Sequence, residues 1–284
     1  PYVNGYFIGS EGYIPAKDYS HKTHKHQTWQ YAFQKQWLFY SVWGRLLYNP
    51  ATTDELFENQ FDARYPGSDG KKLLKASHLV SKTPLRFASF HKSTWDMTLY
   101  SEGFLSPRKA NATSPFVNIH ELINIPSLDP SYISIHKFVS SPEKLFLEGN
   151  ITPLQLADSL ETDSNEALKI VAALRLHANE FTGALACELD DIETWGHLGL
   201  YFSDKLRAGV ALETFRLEGD NTQKEKAISL LNNCIQHWDK ISTITEGHYH
   251  AVPYVDGDMF AWKFYKPEVA KDIDIANDYK FQGK

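Results

Sequence analysis

Apolar positions recur at helical spacing over most of the chain, and the run Trp29 to Pro50, WQYAFQKQWLFYSVWGRLLYNP, is the most apolar of these blocks. Trp29, Phe33, Trp37, Ser41 and Arg45 fall on one i, i+4 row, and Leu38, Val42 and Leu46 on the next. A helix apolar around most of its circumference predicts burial on nearly every side, between two layers. Arg45 would then be a buried cation in need of an anionic partner. Thr52 or Thr53 caps a second helix, with Asp54 and Glu55 in its first turn and Leu56, Phe57, Gln60, Phe61 and Tyr65 along it. Asp69 to Lys82 predicts a third, with Leu73, Leu74, Ala76, Leu79 and Val80 inward.

From Pro84 to Pro153 short apolar runs broken by Pro, Ser and Asn replace helical periodicity, so an irregular insertion is expected at about 84–152. Thr152-Pro153 opens a helix in the cap and first-turn arrangement, and Ser164 begins another. Steps of three or four residues continue through Leu168, Leu185 and Leu206 to Val210, which predicts one very long helix, or two in line, bent near Asp190-Asp191. Asn221 to Gly247 reads as the antiparallel return, 253–263 as irregular, and Pro267 to Ala276 as a terminal helix. Residues 2–8 alternate as a single strand ending at Gly9-Ser10-Glu11-Gly12. A lone strand in a helical chain expects its partners outside this sequence, and a start at Pro1 fits the carboxy-terminal part of a longer protein.

Composition changes this picture in few places. The 284 residues are 42% hydrophobic and 23% charged, ordinary for a globular protein able to bury a core. The aromatic share of 14% is high, and such rings suit both core packing and stacking on sugars. The net charge of -6 is spread without a Lys/Arg run, which argues against a nucleic-acid or polybasic membrane role. No apolar run reaches the roughly 18 residues of a membrane span, so a soluble chain is expected. Cys187 and Cys234 sit in helical patterns and are expected as buried free thiols. His21, His24 and His26 in SHKTHKHQ lack Cys or acidic residues at ligand spacing, so neither metal nor cofactor is expected. GxGxxG, Walker, GxSxG and HExxH motifs are absent, leaving nucleotide, serine-hydrolase and zincin chemistry without support.

What remains is carboxylates among aromatic residues. Glu11 lies just past the predicted strand, and PLRFASFHKSTWDMTLYSEGF brings His91, Trp95, Asp96, Tyr100 and Glu102 together in a loop-rich stretch. Glycoside cleavage uses two carboxyl groups flanking the bond, so Glu11, Asp96 and Glu102 are the catalytic candidates. Tyr13, Trp43, Trp95 and Tyr100 offer stacking faces, while Lys17, Arg45 and His91 could meet hydroxyls or a uronate carboxylate. Two other readings stand beside this one. An all-helical polysaccharide lyase would use Tyr100 and His91 for proton abstraction with Arg86 neutralising the uronate, and a non-catalytic helical glycan-binding protein would use the aromatic residues as its platform.

Certain strings carry a family resemblance. GSEGYIPAK, the aromatic helix ending WGRLLYNP, TWDMTLYSEGF, DIETWGHLGLYFSDKLRAGVAL and the closing VAKDIDIA together resemble the carboxy-terminal region of bacterial α-glucuronidase-like glycoside hydrolases. The resemblance implies a (β/α)8 barrel followed by a helical domain, with residues 1–20 as the end of the barrel and 21–284 as the helical domain. It implies a mainly α fold here, an oligo- or polysaccharide substrate of complex and acidic type, and a periplasmic or secreted location. Its implied partners are a barrel not present in this chain and a second copy in a homodimer. Of the family's catalytic carboxylates it places only Glu11 in this sequence, and it makes the aromatic helix the seam between the two domains.

Overall fold

The computed structural model describes residues 20–22, 27–90, 116–141, 150–177, 183–253 and 259–283. These are mainly helical, as the periodicity predicts. Helices α1 (Ala32–Lys35), α2 (Trp37–Tyr48), α3 (Asp54–Arg64) and α4 (Gly70–Phe90) precede two short ones, α5 (Ile119–Asn124) and α6 (Ile135–Ser140). Three long helices follow, α7 (Pro153–His177), α8 (Gly183–Glu218) and α9 (Asn221–His248). Then come an antiparallel pair, β1 (Val252–Pro253) with β2 (Met259–Phe260), a 3-10 turn at Trp262–Tyr265, and α10 (Lys266–Asp278). The predicted strand at 2–8 lies outside the described residues.

The central element is α8. Buried side chains run along it from Ala184 to Leu217, and Leu198, Tyr201, Phe202, Leu206 and Leu212 form the middle of the larger core. Small residues let its neighbours close in: a Cβ at Gly199 would lie 2.2 Å from Ser164 Oγ of α7, and one at Gly209 2.7 Å from Ile135 Cδ1 of α6. Helix α7 packs antiparallel to α8. Ser203 Oγ donates to the Ala157 carbonyl at 2.8 Å, and Arg175 meets Glu193 at 2.9 Å nearer the opposite end. The run that periodicity joins in line is therefore folded back on itself, and α8 passes through Asp190-Asp191 without ending. Helix α9 returns antiparallel as predicted, with Trp238 edge-on to Tyr201 at 5.0 Å between centroids. A second core, built on Trp29, Phe57, Phe61, Leu73, Val171, Leu185 and Ile192, lies towards the α8 amino terminus, and Trp195 packs against both cores.

Two expectations need correction. The first concerns Trp29 to Pro50, expected to be buried on nearly all sides. It breaks at Gln36 into α1 and α2, and no residue of α2 is buried. Trp37, Leu38 and Val42 pack on the second core, whereas Phe39, Tyr40, Trp43, Leu46 and Leu47 are exposed. Periodicity records that both faces are apolar but carries nothing about what covers them. The second concerns α4, which continues past the predicted stop at Lys82, through Pro84, to Phe90. A proline inside a helix costs about 3 kcal/mol. The compensation comes from the next two turns, where Phe87 and Phe90 are buried and meet Phe202 edge-on at 4.2 and 6.0 Å. Helical structure thus reaches Phe90, inside the stretch expected to be irregular.

The carboxy-terminal helix is tied to the centre by a buried ion pair. Lys205 Nζ of α8 lies 2.8 Å from Asp272 Oδ2 of α10 and donates to the Val117 carbonyl and to Tyr201 Oη. Asp272 Oδ1 accepts from Ile119 N at 2.7 Å, so the same carboxylate holds the start of α5. That start is also closed by a capping box between Asn118 and Glu121. Cys187 and Cys234 are free and buried, as expected.

Candidate functional site

Most residues that sequence reasoning selected, Glu11, Tyr13, Lys17, His91, Trp95, Asp96, Tyr100 and Glu102, lie outside the described residues. Arg45 is described, and it is exposed near the end of α2 rather than buried. Arg86, the lyase candidate, is committed to an ion pair with Asp163 at 2.9 Å that joins α4 to α7.

The described chain next to the first of these groups, Ser20 to Lys22, runs across the end of the bundle formed by the α8 amino terminus and the α9 carboxy terminus. His21 pairs antiparallel with Tyr249; Lys22 N donates to the His248 carbonyl, and His250 N to that of Ser20, each at 2.8 Å. Beneath this strap, Glu188, Asp190, Asp191 and Glu193 of α8 meet donors from five other segments. Lys35 Nζ lies 2.7 Å from Asp191 and 3.4 Å from Glu188. Trp37 Nε1 and Tyr65 Oη donate to Glu188 at 3.3 and 3.0 Å, and Tyr249 Oη donates to Asp191. Arg175 binds Asp190 and Glu193, and His248 sits between Asp190 at Nε2 and Cys187 Sγ, 3.5 Å from Nδ1.

Burial opposes the charge on Lys35, but the facing carboxylates of Asp191 and Glu188 more than offset it and hold its pKa above the ordinary lysine value. The Asp190 hydrogen bond, followed by that of Cys187, raises His248 to about 10, so its imidazolium is kept at neutral pH. Burial works against ionisation of Asp190, but His248 and Arg175 prevail and its carboxyl is held below the usual range. The bonds make this cluster a fastener that holds α1 and α3 to the bundle beneath the Ser20–Lys22 strap. Nothing in the sequence singles it out except Asp190-Asp191, because its members come from segments as far apart as Lys35 and Tyr249, which meet on Asp191.

Beside the fastener lies the outer face of α2. Phe39, Tyr40, Trp43, Leu46 and Leu47 form a stripe at i, i+1, i+4, i+7 and i+8, between 37% and 49% exposed, with Phe39 edge-on to Tyr40 at 5.3 Å. Arg45 lies on the opposite side of α2, about 160° around the helix from the middle of the stripe. The stripe thus leaves five apolar side chains of one helix open to solvent.

A polar cleft of about 260 Å³ opens between α7, α8 and α9, lined among others by Glu161, Asn165, Asp204, Arg207, Asn233 and His237. Arg207 donates to Asp158 and Glu161 at 2.7 and 2.6 Å and to Ser203 Oγ at 2.6 Å, so its charge is matched locally. These residues share helix faces at i, i+4 spacing, a signal present in the sequence, but only packing decides which face opens into a cleft.

No family model and no curated protein matches the sequence. The fold is similar to a solved structure described as a GH138 enzyme targeting pectin rhamnogalacturonan II, with a TM-score of 0.70 at 13% identity over 88% of this chain. The matched region is 38% of that longer chain. At this identity the likeness is one of fold, and it runs to a GH138 enzyme rather than to the α-glucuronidase-like group that the motifs resemble. This chain shares its mainly helical fold with the matched 38% of that longer chain.

Proposed function

We propose that this chain is the helical part of a glycoside hydrolase acting on a complex acidic polysaccharide of the pectic type. The single observation that carries the reading is the fold likeness to an enzyme described as targeting pectin rhamnogalacturonan II. In this reading residues 1–20 are the end of a (β/α)8 barrel, and the outer face of α2 seats against that barrel. The exposed stripe from Phe39 to Leu47 supports it, since such a surface gains by being covered. Glu11, Asp96 and Glu102 supply the carboxyl groups, and Tyr13, Lys17, Arg45, His91, Trp95 and Tyr100 meet the sugar rings and their uronate groups. In this reading the protein acts in the periplasm or outside the cell.

Rhamnogalacturonan II incubated with the longest natural form of the protein and with the 284-residue chain tests this. New reducing ends without ultraviolet-absorbing product are expected from the long form, abolished in Glu11→Gln. An unsaturated, absorbing product would favour the lyase, and tight binding without turnover the glycan-binding protein. Activity unchanged by Glu11→Gln, Asp96→Asn and Glu102→Gln taken singly would overturn the site.

A further inference from the structure

We propose that His197 of α8 and His237 of α9 form a two-histidine site for a zinc-class divalent cation at the edge of the polar cleft. Their Nδ1 atoms face each other at 3.3 Å, with ring centroids 5.6 Å apart and planes inclined by 35°. Two nitrogens bound to tetrahedral zinc at about 2.0–2.1 Å are separated by about 3.3 Å, so the rings already hold the spacing of one edge of the coordination tetrahedron. The carboxylate of Asp204 lies 3.6 Å from the other nitrogen of His237, Nε2. A carboxylate there draws the ring proton to Nε2, which leaves the Nδ1 lone pair directed at His197.

The second ring, His197, binds a metal in its neutral form, and its Nδ1 is turned to Nδ1 of His237. A directly facing neutral pair would otherwise share one N–H···N bond, which 3.3 Å makes long. Both rings are only partly buried and His237 lines the cleft, so an ion reaches them from solvent. Among the described residues no set of three or more His, Cys, Asp or Glu is placed to hold a metal. The ion would therefore keep two positions for water, and micromolar rather than nanomolar affinity follows. Lys240 opposes it, Glu161 is already matched by Arg207, and Asp204 favours it.

The test uses tag-free chain stripped with a chelator and titrated with zinc chloride by calorimetry and thermal melting. One equivalent should bind with a rise in Tm, each of His197→Asn and His237→Asn should weaken binding more than 10-fold, and Asp204→Asn by about 10-fold to 100-fold, the range for a carboxylate behind a metal-bound histidine. Melting each variant with chelator present separates lost folding from lost binding. Should a variant fail to fold, cobalt(II) on the unaltered chain must give the intense visible bands of a tetrahedral site. Absence of zinc binding, absence of those bands, or binding undiminished in both histidine variants overturns the site.

Discussion

Lys205 and Asp272 face each other at 2.8 Å with both side chains buried, and between them they hold α8, α10, the Val117 carbonyl and the first amide of α5. Such a pair contributes little relative to an apolar substitute, yet breaking it strands a charge in the core. Lys205→Met and Asp272→Asn are each expected to lower unfolding free energy by about 3–5 kcal/mol. The double change Lys205→Met with Asp272→Leu should cost far less than the two singles summed. Urea titrations of the four proteins measure this, and additive losses would show that the pair is not a unit.

Two histidines set the pH dependence from opposite sides. His248 is raised to about 10 in the folded state, so its contribution is complete below the unfolded value of about 6.5 and is lost as pH rises towards 10. His197 is lowered to about 4, so the unfolded chain binds the extra proton between about 6.5 and 4 and stability falls as pH drops through that window. Melting temperature should therefore peak near neutrality. His248→Gln should flatten the alkaline limb and His197→Asn the acid limb, with chelator present throughout.

Glycines in α8 and α2 should respond oppositely to alanine. A Cβ at Gly199 meets Ser164 Oγ at 2.2 Å, and overpacking of this kind costs about 1–3 kcal/mol. Gly44, inside α2, has no atom within 4 Å of the new methyl, so Gly44→Ala should stabilise by about 0.5–1 kcal/mol through helix propensity alone. Chemical denaturation of the two variants gives the signs directly.

The exposed stripe of α2 should matter more to association than to folding. Phe39→Ser and Leu47→Ser remove side chains that are 46% and 49% exposed, and each should cost the 284-residue chain under about 1 kcal/mol. Both should reduce binding of a hydrophobic dye. Trp29→Ala, at 5% exposure in the second core, should instead cost about 3–5 kcal/mol. If the stripe seats on a barrel, the same serine variants should destabilise the longer protein more than the short one. Equal effects in both forms would exclude that role, and a dimer dissociated by them would assign the face to a second copy.

Helix class and the positions of α3, α9 and α10 were legible in the sequence because each has a single apolar stripe between clear stop signals, as with Thr53 before Asp54 and Pro267 at the start of the last helix. Local pattern is enough where one face is buried and the other wet. The candidate carboxylates were legible only as residue types, and those at Glu11, Asp96 and Glu102 lie outside the described residues. Tertiary structure alone decided that α8 rather than the Trp29–Pro50 run is the centre, that α4 passes through Pro84, and that His197 meets His237. Each of these depends on which surface another segment covers, and burial by a distant segment leaves no mark on the spacing of the residues it covers.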